Sequence, residues 1–85
     1  MTIYRFTLRI DGADVMSDAS QDALFEAGCD DATFGTSDGV QTGEFDREAA
    51  DFAEAVASAI KAVETAVPDA RVVDIHRERD VAAAG

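Results

Sequence analysis

The chain has 85 residues, a single cysteine, and a formal net charge of −11 from 18 acids against seven bases. That length makes one domain with a thin core. No apolar run approaches a bilayer crossing, and one Cys excludes an internal disulfide. The acidity is concentrated in residues 10–46, which hold ten Asp or Glu and no Lys or Arg. Such a field repels phosphate backbones and suits a basic protein surface; solubility, or adaptation to a salty cytoplasm, accounts for it equally well.

The opening residues Met1-Thr2-Ile3-Tyr4-Arg5 lead directly into an alternating pattern. They show no basic n-region, h-region or cleavage site, so a cytoplasmic chain is expected. Over residues 3–10, Tyr4, Phe6, Leu8 and Ile10 share one face and Arg5, Thr7 and Arg9 the other, the period of a half-buried strand. Asp11-Gly12 ends it. Ser17 is the expected N-cap of a helix over about 18–27, with Asp18 and Asp22 near its positive end, Ala23, Leu24 and Ala27 toward the core, and Gly28 at C′.

Ala32-Thr33-Phe34-Gly35 reads as a short strand, Ser37-Asp38-Gly39 as a tight turn, and Val40 to Phe45 as the returning strand. Gly43 within it is expected to weaken pairing or mark a bulge. Asp51 to Glu54 has capping-box spacing. The following helix carries Phe52, Val56, Ile60, Val63 and Val67 as one apolar stripe, expected to pack on the Tyr4, Phe6, Leu8 and Ile10 face, and Pro68 stops it. Arg71 to His76 is the last strand, and its Val72, Val73 and Ile75, like Phe25, are among the large apolar residues expected to pack in the core. Residues 1–76 thus form one domain, and 77–85 a charged, then alanine-rich, tail expected to be frayed or helical.

The order β-α-β-β-α-β, with right-handed crossovers, places the first and third strands at the centre of one antiparallel sheet. Both helices then cover one face, giving an α+β two-layer sandwich of ferredoxin-like type. The open face is expected to carry Arg5, Thr7 and Arg9, with Asp74 or His76 from the last strand.

Cys29-Asp30-Asp31 invites a nucleophile or metal reading. Two adjacent acids, however, raise a thiol pKa rather than lower it, and a small residue after Gly28 suits packing. His76 is the only histidine, too few for a Cys/His metal site, and reads as a surface residue. The acids at 11, 14, 18 and 22 miss calcium-loop spacing. Gly35 to Gly39 lacks the Lys and following helix of a phosphate loop. Ser17, Ser20, Ser37 and Ser58 have no base set beside them by sequence. No catalytic, cofactor or metal residues are assigned, and the chain is read as not an enzyme.

The segments Leu24 to Gly35, Asp38-Gly39-Val40, Phe45 to Ala49, Phe52 to Ile60, Val63-Glu64 and Ala70 to Val73 resemble the N-terminal domain of short bacterial helix-turn-helix DNA-binding or transcriptional regulators. The resemblance spans about residues 3–76, and Gly28-Cys29-Asp30-Asp31-Ala32 is its more specific part. It implies a regulatory setting. In such relatives a helix-turn-helix follows an acidic linker; here the sequence reaches Gly85 in an alanine tail without one, so DNA binding by these residues is not expected. A weaker similarity, of architecture, is to HicB-type antitoxins.

Composition, pattern and resemblance together suggest a non-catalytic regulatory or interaction domain whose partner is a basic protein or another copy of itself, with no nucleic-acid or membrane contact and a homodimer as the simplest assembly. The alternative is a small-molecule-binding or dimerisation domain using the open sheet face. Arg5, Arg9, Asp30, Asp31, Asp74 and His76 are the candidate interaction residues.

Overall fold

A computed structural model of the chain describes residues 2–77. The elements are β1 (Thr2–Asp11), α1 (Asp18–Glu26), β2 (Ala32–Ser37), β3 (Val40–Ala49), α2 (Phe52–Ala66) and β4 (Arg71–Arg77). The sheet order is β2-β3-β1-β4, with every neighbouring pair antiparallel. The helices pack together on one face, and the other face is open: the expected α+β sandwich of ferredoxin-like type. Among the described residues no helix is long and apolar enough to cross a membrane.

The alternation in β1 sets the core. Phe6, Leu8 and Ile10 are buried beside Phe45 of β3, Leu24 of α1 and the inner face of α2. Directly opposed residues on antiparallel strands share a face, so the pairs Phe6–Phe45 and Leu8–Gly43 lie under the helices, while Arg5–Asp46 and Thr7–Glu44 lie on the open side.

Both helix starts follow the sequence. The Ser17 side chain accepts from the Ser20 N–H at 3.2 Å and Asp51 from the Glu54 N–H at 2.8 Å. Those contacts satisfy donors that no helical carbonyl can reach. Helix α1 ends in a Schellman turn: the Cys29 N–H reaches the Leu24 carbonyl at 2.9 Å and the Gly28 N–H reaches Phe25 at 3.1 Å. Gly28 holds φ +98, a left-handed conformation that a side chain would strain.

Several expectations need correction. Strand β3 runs to Ala49 rather than ending at Phe45, because Arg47 and Ala49 continue the inward-facing parity on the strand beside β1. Gly43 makes no bulge; it pairs in register with Leu8 and Phe34, and its missing side chain leaves room for the Phe34 ring, 2.7 Å from where a Cβ would sit. The irregularity lies instead between β1 and β4, where Val73 is an extra residue between the Ile10–Val72 and Arg9–Asp74 pairs. The buried seam of α2 is Ala55, Val56, Ala59 and Val63, one step around from the expected stripe; Phe52 and Ile60 flank it, half-buried. Small alanines lie under the helix, which lets it approach the aromatic sheet closely.

Several large apolar residues that were expected to pack are outside. Phe25 is 68% exposed, Val73 55% and Ile75 43%. Phe25 is on the outer side of α1 from Leu24, and Val73 and Ile75 belong to an edge strand. Ala27, expected to face the core, is the exposed C-cap of α1. Strand β4 also extends through Arg77, one residue past the expected boundary, and the remainder of the tail lies outside the described residues.

Phe45→Ala should therefore lower folding stability by about 3–5 kcal/mol, as expected for a deleted core aromatic. Ile60→Ala, at a half-buried flank, should cost clearly less. Urea unfolding of both variants checks the order; equal losses would misplace α2.

Candidate functional site

The candidate interaction residues fall in two places. Arg5, Arg9, Asp74 and His76 converge on the open face, whereas Asp30 and Asp31 lie at the corner between α1 and β2. On the open face the ladders set Asp74 opposite Arg9 and His76 opposite Thr7, so both β4 residues belong to it. Strand β3 adds Glu44, Asp46 and Glu48.

Arg5 is already engaged. Its Nε donates to Asp46 Oδ1 at 2.7 Å, with Nη2 to Oδ2 at 3.4 Å, both side chains about half exposed. Such a pair fixes side-chain direction more than it stabilises. Arg9 has no hydrogen-bond or ion-pair partner among the described residues. The face is thus a row of β3 acids beside a β1 row with arginines.

The corner is organised by a residue the sequence reading did not single out. Arg47 points from β3 to the helix side. Its Nε and Nη2 grip the Asp31 carboxylate at 2.8 and 3.0 Å, Nη2 also donates to the Gly28 carbonyl at 2.7 Å, and Nη1 reaches Ser58 of α2 at 3.2 Å. The guanidinium also lies 5.2 Å from the Phe45 ring centre. One side chain thereby ties the end of α1, the start of β2 and helix α2 to the sheet. Asp31 is a structural anchor rather than a free interaction residue; Asp30 beside it is exposed. The sequence signal was the even spacing of Phe45, Arg47 and Ala49, missed because an inward Arg breaks the apolar pattern.

Cys29 is 4% exposed and packs in the core. Burial pushes its thiol pKa up; the Arg47 guanidinium pulls it down, and Asp31 and Asp30 push it up again, leaving a net rise. Of the acids once compared with a calcium loop, Asp11 and Asp14 accept from the nearby N–H groups of Gly12 and Met16. Among the described residues no three His, Cys, Asp or Glu come together as a metal cluster.

The second place with exposed chemistry is the free edge of β4. Beside it is a hollow of about 320 Å³ lined by Ile60, Val72, Val73, Asp74 and Ile75. The edge N–H groups are met by same-chain carboxylates: Val72 donates to Glu64 Oε2 at 3.0 Å and Ile75 to Asp74 Oδ1 at 2.9 Å. The larger hollow, about 540 Å³, sits at the loop end of the sheet between Asp11–Asp14 and Thr36, Gly39 and Gln41. Its wall is braced by the Gln41 amide, which accepts from the Val15 N–H at 2.7 Å and donates to the Ala13 carbonyl at 2.6 Å.

Comparison of the chain with protein-family models, curated proteins and solved structures finds no match.

A thiol whose folded pKa is raised adds stability below its unfolded value, near 8.5, and that contribution is lost as pH climbs toward the folded value. The urea midpoint should thus fall between about pH 8 and pH 10 more steeply for the native chain than for Cys29→Ala. Parallel slopes would show that the thiol titrates alike in both states.

Proposed function

We propose that this chain is a non-catalytic interaction domain of a regulatory protein, the setting implied by its resemblance to the N-terminal domain of helix-turn-helix regulators and, more weakly, to HicB-type antitoxins. The observation that carries the reading is the β4 edge, where Val73 and Ile75 stand exposed beside the apolar hollow at Ile60. An edge strand with apolar side chains is a template for another chain. The open face next to it offers ordered charge, with Arg5 fixed by Asp46 and Glu44, Asp46 and Glu48 in a row.

The partner is a basic protein or a second copy of this chain. A surplus of −11 steers a basic partner toward the domain and keeps a nucleic-acid backbone away. A small-molecule role on the open face has less support, since the hollows beside β4 and at the loop end lie off that face. The proposed setting is cytoplasmic, with no membrane contact.

Two measurements test the reading. Affinity capture of the tagged chain from its own cells should recover a protein in stoichiometric amount, either a basic partner or the untagged chain itself; a small molecule alone in the recovered complex would favour the alternative. In a gel-shift titration at physiological salt, micromolar chain should leave duplex DNA unshifted. A salt-sensitive shift abolished by Arg5→Ala with Arg9→Ala would overturn it.

A further inference from the structure

We infer that the β4 edge is a self-complementary docking site for a second copy of this chain, in one register centred on Ile75. The inference rests on the interaction-domain reading and deepens it by naming the partner and its seat.

A two-fold axis perpendicular to the sheet pairs β4 with its copy antiparallel and keeps the two open faces on the same side. Only residues of like face can then oppose one another. With Ile75 on the axis, Asp74 opposes His76 of the copy, twice, and Ile75 opposes its own equivalent. Centring on Asp74 instead sets carboxylate against carboxylate, and centring on His76 sets imidazole against imidazole. Charge complementarity therefore selects Ile75.

Backbone geometry is compatible with the same register. The Ile75 N–H is directed to the Asp74 carboxylate, on the free side of the strand, at 2.9 Å. In an antiparallel ladder, opposed residues of a hydrogen-bonded pair exchange both N–H···O bonds. An Ile75–Ile75 pair on the axis supplies that exchange. The carbonyl of the copy takes the place that Asp74 Oδ1 holds in the single chain, which frees the carboxylate to face His76 across the axis. Among the described residues the overlap spans 73–77, and the Glu64 contact to the Val72 N–H lies outside that span.

The apolar surface agrees as well. Ile75 opposes buried Leu8 in the ladder and so belongs to the helix side, beside Ile60. Two-fold pairing brings the two Ile75 side chains together and closes the paired hollows, covering Ile75, now 43% exposed. The result is a continuous eight-stranded sheet with four helices on one side. Repulsion between two chains of −11 opposes it, and moderate salt relieves that repulsion.

The test is sedimentation equilibrium of the full chain over micromolar to millimolar concentration, at low and moderate salt, with circular dichroism to verify the fold. The native chain should dimerise, more strongly at moderate salt. Asp74→His alone and His76→Asp alone each create like groups across the axis and should weaken the dimer about tenfold, from two lost pairs. The two substitutions together restore one acid opposite one imidazole and should recover the affinity. Should either single variant unfold, Ile75→Lys decides, since its exposed edge position tolerates charge in the monomer and forbids the dimer. A strict monomer at both salts, a dimer indifferent to Ile75→Lys, or a double variant no tighter than the singles would overturn the site. A monomer that still captures a basic protein refutes this interface alone; the interaction reading fails only if the capture experiment returns no protein.

Discussion

Phe6 and Phe45 face each other across the central strand pair with rings stacked 5.4 Å apart and nearly parallel, and Phe52 from α2 and Phe34 from β2 meet them edge-on. This four-ring cluster joins three strands and one helix in a chain with only six aromatic residues. It also locks the register of β1 on β3. A slip by one residue would turn Arg5 and Arg9 under the helices and put Phe6 and Leu8 in water. Gly43 belongs to the same constraint: any side chain there would displace the Phe34 ring and with it the seating of β2.

What the sequence made legible follows from how strongly each element repeats. Strand β1 alternates over eight residues, and α2 has a capping Asp, an apolar stripe and a closing Pro, so both were read nearly to their ends. The topology followed from element order and crossover handedness alone. Strand β3 is legible only to Phe45, because Asp46-Arg47-Glu48 reads as a charged loop when the partner strand is unknown. The Arg47 anchor was hidden for the same reason: its value lies in Asp31, Gly28 and Ser58, contributed by three other parts of the chain. Strand β4 departs in the opposite sense. Val72-Val73-Ile75 reads as core, yet a strand at the sheet edge covered by a single helix buries only part of such a run.

Electrostatics divide the bases into those that hold the fold and those that face outward. Arg47 closes the α1–β2 corner, Arg71 donates to the Pro68 and Ala70 carbonyls after α2, and Arg77 lies 4.2 Å from the Phe52 ring centre. Arg5 aligns with Asp46 on the open face. Arg9 and Lys61 have no such partner among the described residues. With few cations available and most of them engaged internally, most acids of residues 10–46 other than Asp31 and Asp46 remain exposed without a cationic partner. Long-range repulsion is the consequence, and it acts on the approach of other chains more than on the packed core.

A four-stranded open sheet cannot avoid two edges, and this chain treats them differently. The β2 edge is short and polar, with Thr33, Gly35, Thr36 and Ser37. The β4 edge keeps its apolar side chains but carries a bulge at Val73, and two of its N–H groups are capped by Glu64 and Asp74. Bulges and charged groups at an edge discourage unspecific pairing. A carboxylate on an edge N–H is a reversible cover: it satisfies the donor in the isolated chain and yields only to a strand that brings a carbonyl together with a group able to receive the displaced charge. In the proposed pairing that group is His76 of the copy, which lies two residues beyond Asp74 on the same face of β4. Acidity that looks like bulk composition in the sequence thus also acts locally, at one hydrogen bond on the sheet edge.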